Sequence, residues 1–257
     1  ENAMWESVND WQSVDLPHDW LIYDAEELYR NGDGWDRKRF VISGELGQRV
    51  FLRFDGVYMN CTVYLNEKPV YDWKYGYSVF EFDITEALLA GENTIHVQVR
   101  HESPNSRWYS GAGIYRNVWF VSRPQMHLVS DGVYVHTLEH NGDYVVTVTT
   151  EAKNSEGTLE GVTVRHTVLS PEGEMVECSE GSMLTGTFAT EEQEFYVRKP
   201  KCWDVEKPVL YTLVTELRTG DTVVDEMRQT IGFRKLVFTT DRGLFLKIRS
   251  TLRKYPS

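Results

Sequence analysis

No stretch of the chain stays apolar for the ~20 residues that a membrane-crossing helix needs, so no membrane partner is expected. Positive charge is also short. Lys and Arg number 27 against 39 Asp and Glu, a net charge of −12, and no basic stripe runs through the sequence. Such a chain repels a phosphate backbone, so nucleic acid is not an expected partner. Cysteine is scarce: Cys61, Cys178 and Cys202 are odd in number and widely spaced, which speaks against a disulfide framework and fits a reducing compartment. The opening residues Glu1-Asn2-Ala3-Met4 show neither the charged nor the apolar region of a signal peptide, so the expected location is cytoplasmic. The 7 histidines are scattered. His96 and His101 form the nearest pair, without a further His or Cys at ligand spacing, so no metal is expected in this chain. Helical periodicity is nearly absent too. The one short candidate runs from Asp83 to Leu89, with Thr85 as its cap and Gly91 beyond its end.

Period-two alternation fills the remainder. Val50, Leu52 and Phe54 alternate with Phe51, Arg53 and Asp55; Cys61, Val63 and Leu65 with Thr62, Tyr64 and Asn66; Ile95, Val97 and Val99 with His96, Gln98 and Arg100. Neighbouring strand side chains point to opposite faces, so each segment is expected to bury one face. The aromatic share of 13%, with 8 Trp and 14 Tyr, suits strands, and it also suits faces that stack on sugars. A second block reads as strands at Val133 and Val135, 144–150, 162–169, 209–217 and 222–231, separated by turn clusters such as Asn141-Gly142-Asp143 and Pro171-Glu172-Gly173. Strands at that spacing suggest an immunoglobulin-like sandwich. The expected fold is all-β. Proline cannot donate to a ladder, and composition shifts at Arg123-Pro124. The expected domains are residues 1–122, residues 123–234, and a segment 235–257 in which Gly243-Leu244-Phe245-Leu246 could open a hairpin before a basic tail without a partner strand.

Several motifs occur in a set order. They are Leu16-Pro17-His18-Asp19-Trp20, Gly34-Trp35-Asp36-Arg37-Lys38-Arg39-Phe40, Phe54-Asp55-Gly56-Val57-Tyr58-Met59-Asn60, Gly76-Tyr77-Ser78 and Gly91-Glu92-Asn93. The longest is Ser106-Arg107-Trp108-Tyr109-Ser110-Gly111-Ala112-Gly113-Ile114-Tyr115-Arg116-Asn117-Val118-Trp119. Farther on come Trp203 with Pro208-Val209-Leu210-Tyr211, and Gly232-Phe233-Arg234. Together they resemble glycoside hydrolase family 2, most closely its β-galactosidases. The resemblance implies a jelly-roll sugar-binding-like domain, then an immunoglobulin-like β-sandwich, then a catalytic (β/α)₈ barrel that is absent from this chain. Asp36, Glu67 and Lys207 depart from the family pattern, which has an aromatic, a Gly and an Asn there.

The resemblance implies a retaining β-galactosidase whose two glutamates both lie in the barrel, so no catalytic residue is expected here and the chain alone is expected to be inactive. Any Mg or Na would belong to that barrel, and a homo-oligomer is compatible with the reading. A β-glucuronide or β-mannoside preference, or a stand-alone carbohydrate-binding module, are the alternatives. Asn66-Glu67 matches the dipeptide of the family's acid/base, but between a strand and Lys68-Pro69 it reads as a hairpin turn. The resemblance implies that a jelly-roll loop, here His101 to Tyr109, touches the sugar. Asn105 and Ser106 are its candidate hydrogen-bonding residues and Trp108 its candidate aromatic face; turn formation after Pro104 and anchoring of the loop are the structural readings. Arg37, Arg39, Arg53, Arg107 and Arg116 are expected to pair with Asp19, Asp36, Asp55 and Asp83. Asp19 is expected to bond local backbone rather than to form a catalytic dyad with His18.

Overall fold

The alternation in the sequence becomes two stacks of antiparallel sheet. A computed structural model describes residues 5, 8, 10–23, 26–43, 48–105, 111–183, 185–241, 243–248 and 251–254. The chain divides into two compact units, Glu1–Arg123 and Pro124–Ser257.

In the first unit the strands are β1 (His18–Asp19), β2 (Gly32–Ile42), β3 (Arg49–Phe54), β4 (Cys61–Leu65), β5 (Lys68–Trp73), β6 (Phe80–Asp83), β7 (Gly91–His101), β8 (Gly113–Ile114) and β9 (Val118–Arg123). One sheet runs β2-β7-β4-β5, a second runs β6-β3-β9, and β1 pairs β8. Between the sheets lies one core, in which Val50, Leu52, Phe54, Cys61, Val63, Leu65, Ile95, Val97 and Val99 are all buried. These are the apolar positions of the sequence alternation, each worth roughly 1.5–3 kcal/mol when fully removed from water for Val, Leu, Ile or Phe. Aromatic rings fill its centre: Tyr71 stacks on Phe82 at 4.3 Å, and Phe54 on Phe80 at 4.9 Å. This is the jelly-roll-type sandwich.

Strand β7 departs from the expected one buried face. His96 and Gln98, on its polar side, are buried as well. For His96 the cause lies before β1: Trp5 stacks on it at 4.5 Å and meets Trp35 and Tyr64 edge-on, while Gln98 donates to Asp33 at 2.8 Å. The expected helix at 83–89 reduces to a single 3₁₀ turn, Thr85–Ala87, and Thr85 is not its cap. Its hydroxyl instead donates to Asp83 at 2.6 Å and accepts from the Val50 N–H at 2.8 Å, tying the turn to β3.

The second unit contains β10 (Met126–His140), β11 (Asp143–Asn154), β12 (Val162–Leu169), β13 (Met175–Ser182), β14 (Phe188–Val197), β15 (Tyr211–Thr219) and β16 (Thr222–Ile231). Sheets β10-β11-β14 and β13-β12-β15-β16 face each other as an immunoglobulin-like sandwich. The Asn141-Gly142 turn joining β10 to β11 has φ of 53° and 90°, the geometry for which Asn-Gly is suited. Strands β13 and β14 had no sequence expectation, because Glu177, Glu180, Glu191, Glu192 and Glu194 obscure their apolar side. A last sheet joins β17 (Lys235–Thr239), β18 (Gly243–Ile248) and β19 (Thr251–Lys254). The expected hairpin at Gly243 is there, but the tail is not unpartnered: residues 251–254 pair antiparallel with 245–248, so β18 has a neighbour on both sides.

Candidate functional site

Both ends of the candidate sugar loop are fixed by buried polar side chains. At the entry, His101 closes β7 and is only 1% exposed. Its Nδ1 lies 2.6 Å from the Arg30 carbonyl oxygen. A carbonyl only accepts, so Nδ1 carries the proton and Nε2 accepts from the Asn105 amide 3.2 Å away. The same Asn105 nitrogen donates to the Glu102 carbonyl at 2.7 Å, and the Ser103 N–H donates to Asn31 Oδ1 at 2.5 Å. The turn after Pro104 is thereby locked onto the 30–31 segment.

At the exit, one carboxylate does the fixing. Asp19 Oδ1 accepts the N–H groups of Leu21 at 2.9 Å, Ile22 at 3.1 Å and Ala112 at 3.1 Å. The first two are the expected local backbone bonds; the third reaches 93 residues along the chain. Trp20 N–H donates to the Ala112 carbonyl at 2.9 Å, and His18–Asp19 pair with Ile114 and Gly113. Gly113 has φ of 132°, and a Cβ there would lie 2.5 Å from the His18 carbonyl oxygen, so only glycine lets the two strands meet. Tyr58 exchanges backbone hydrogen bonds with Gly113 at 2.9 and 3.0 Å.

Of the sequence candidates, Asn105 is exposed at the loop's entry with its amide nitrogen engaged by His101 and Glu102. Ser106 and Trp108, together with Arg107, lie outside the described residues. Sequence reasoning missed a group of tyrosines nearby. Tyr58 meets Tyr77 edge-on at 5.4 Å, Tyr77 meets Tyr75 at 5.7 Å, and Tyr115 OH donates to the Gly76 carbonyl at 2.7 Å. Tyr75 is 61% exposed. An exposed ring beside hydrogen-bonding groups is the combination a sugar uses, its apolar face on the ring and its hydroxyls on polar atoms. The signal was available, since Tyr58, Gly76 and Tyr115 all sit in the motifs above.

Of the arginine expectations, the Arg53–Asp55 pair is present and others need correction. Arg53 reaches Asp55 at 3.6 Å and Glu81 at 3.8 Å. Arg37 lies over the Trp11 ring at 4.2 Å, and Arg116 lies over Tyr115 while donating to the Asp55 carbonyl at 3.4 Å. Asp83 is held by Arg49, at 2.6 Å, which was not among the expected partners. Burial pushes the Asp83 carboxyl up, but the Thr85 hydroxyl and N–H and the Arg49 guanidinium together bring it below the usual carboxylate range. Asp19 takes backbone N–H groups, and among the described residues Asp36 takes no arginine, because strand register sends the arginines of β2 to the opposite face. Asn66 and Glu67, at φ of 48° and 69°, form the tip joining β4 to β5, with Glu67 exposed. Cys61 is buried among apolar groups, and that burial pushes its thiol up to about 12, out of reach as a nucleophile. Among the described residues no three His, Cys, Asp or Glu side chains come together as a metal site.

Comparison with known proteins matches residues 10–124 to the model described as glycosyl hydrolases family 2, sugar binding domain, and residues 127–234 to that described as glycosyl hydrolases family 2. The chain is 36% identical to the β-galactosidase BoGH2A of Bacteroides ovatus, over 95% of its own length and 30% of that protein. It is 29% identical to a β-glucuronidase of Bacteroides fragilis, over 92% of its length and 37% of that protein. Among solved structures, a glycosyl hydrolase family 2 member from Bacteroides cellulosilyticus superimposes with a TM-score of 0.82 at 32% identity, over 94% of this chain and 35% of that one. The chain thus spans about a third of the length of the relatives it matches.

Proposed function

The chain belongs to glycosyl hydrolases family 2, and from that premise we propose that it supplies the two supporting domains of a retaining β-galactosidase. The observation that carries the reading is the continuous likeness of 95% of the chain to only 30% of the B. ovatus β-galactosidase. Retaining hydrolysis needs two carboxyl groups about 5–5.5 Å apart, and the chain's one Asn-Glu dipeptide, Asn66-Glu67, is spent on a hairpin tip. The acid/base and nucleophile therefore belong to the remainder of the protein. This chain lends that site the loop between His101 and Ala112, with Asn105 at its rim. A neutral sugar fits this rim better than a uronate does: both nitrogens of His101 are engaged, and the neighbouring Arg30 is paired with Glu27 at 2.8 Å. A stand-alone sugar-binding module is disfavoured, because Trp5 already covers Trp35 and Tyr64 on the aromatic outer face, and Trp11 lies against the neighbouring His96.

Two assays test the proposal. The chain alone, given nitrophenyl β-galactoside or β-glucuronide, is expected to turn over neither; activity abolished by Glu67→Gln would overturn the reading. A chimera in which this chain replaces its counterpart in the B. ovatus protein is expected to hydrolyse the galactoside. In it, Asn105→Ala should lower kcat/KM by about tenfold, the scale of one lost hydrogen bond of ~1.4 kcal/mol. A folded but inactive chimera, or an indifferent Asn105→Ala, would count against the loop's role.

A further inference from the structure

The core of the first unit is left unfilled along one margin. A cavity of about 640 Å³ opens between β2 and β9, the edge strands of the two facing sheets. Its walls include Phe40, Leu52, Phe54, Val97 and Phe120, and its mouth is marked by the exposed Val41. That size lies within the 300–1,000 Å³ typical of small-molecule sites.

The vacancy has a local cause. On β2, Asp36 pairs with Val97 and Lys38 with Ile95, whose side chains are core, so Asp36 faces inward. Alternation asks for an apolar side chain at such a place, and a short carboxylate leaves its volume empty. Among the described residues Asp36 makes no hydrogen bond or ion pair, and burial raises its carboxyl above the usual range even though His18 acts in the opposite sense. A half-buried carboxylate that makes no hydrogen bond is costly, and His18 offsets only part of that cost. Arg37 and Lys38 also contribute to the lining, but Arg37 stacks over Trp11, Lys38 is exposed, and neither forms an ion pair with Asp36 among the described residues.

We propose that this cavity binds a small arylalkylamine, its ring packed against the apolar lining that includes Phe40, Phe54 and Phe120 and its ammonium group donating to the Asp36 carboxylate. The proposal does not depend on the glycosidase reading.

Benzylamine titrated into the full chain, followed by calorimetry and by ring-proton NMR, tests it, with benzyl alcohol and benzoate as comparators. One saturable site is expected, at least tenfold tighter for benzylamine than for benzyl alcohol and closed to benzoate. Asp36→Asn keeps the space and should erase the tenfold preference. Asp36→Phe fills the space, and should abolish binding of both ligands while raising the thermal midpoint. Absence of saturable benzylamine binding to the unaltered chain would overturn the proposal. So would retention of the amine preference in Asp36→Asn, unchanged binding in Asp36→Phe, or a lowered midpoint of a folded Asp36→Phe.

Discussion

The two sandwiches share an architecture and differ in how they use it. The second is packed with aliphatic side chains: Val146, Val148, Val168, Val197 and Leu213 are all fully buried, and Phe233 sits against the edges of Tyr144 and Tyr211. The first packs stacked aromatic rings, buries polar residues on both sides of one strand, leaves a cavity at its margin, and fixes a long loop at both ends with His101 and Asp19. The contrast teaches that one fold serves two purposes: the second unit's centre is aliphatic packing around the buried His166, whereas the first unit adds buried polar side chains both within β7 and where a loop leaves the sheet.

The largest expected effect tests the packing half of that contrast. Phe233→Ala should cost about 3–5 kcal/mol in urea unfolding, as for other fully buried aromatics. Hydrogen exchange should place the lost protection in residues 124–234; equal loss in the first unit would break the contrast. Next comes acid. His166 is wholly buried, with its ring nitrogens 3.3 and 3.1 Å from the Thr150 and Thr215 hydroxyls, and burial pulls it down to about 4 from 6.5. Between those values the unfolded chain binds the proton more readily than the folded one, so stability falls as pH drops from 6.5 towards 4, by roughly 3 kcal/mol in all. His166→Gln should flatten that slope in the second unit's unfolding and leave the first unit's profile unchanged.

A smaller change sharpens the other half. Asp19→Ala removes the acceptor of three N–H groups and should cost about 1–3 kcal/mol. The loss should be local, seen as faster exchange at Leu21, Ile22 and Ala112 while the β3 and β4 amides stay protected. The smallest effect compares hairpin tips. Glu67 holds φ of 69° without being glycine, so Glu67→Gly should stabilise the first unit by about 1 kcal/mol. Gly142→Ala at the corresponding place in the second unit should destabilise by a similar amount.

Much of this organisation was legible beforehand. Strands with clean alternation, such as 50–54, 61–65 and 162–169, appear with the expected faces buried. Asn66-Glu67 and Asn141-Gly142 are turns, as their residue types suggest. Strands β13 and β14 were not legible, because an exposed face rich in glutamate masks an apolar side whose partners are distant in sequence. The site was half legible. Asn105 could be named as a loop residue, but its tie to His101 and Glu102 could not, nor could the gathering of Tyr58, Tyr75, Tyr77 and Tyr115. Of the arginine pairs, Arg53 with Asp55 is present, whereas Asp83 takes Arg49 instead: strand register, not proximity in sequence, selects the partner of each charge.

From sequence alone the class followed, all-β with two sandwiches, because period two and turn chemistry are local properties that each segment carries within itself. The burial of His96 under Trp5, the reach of Asp19 to Ala112, and the cavity against Asp36 were decided only when distant segments met. Burial and hydrogen-bond partnership are properties of pairs, and a linear pattern specifies only one member of each pair.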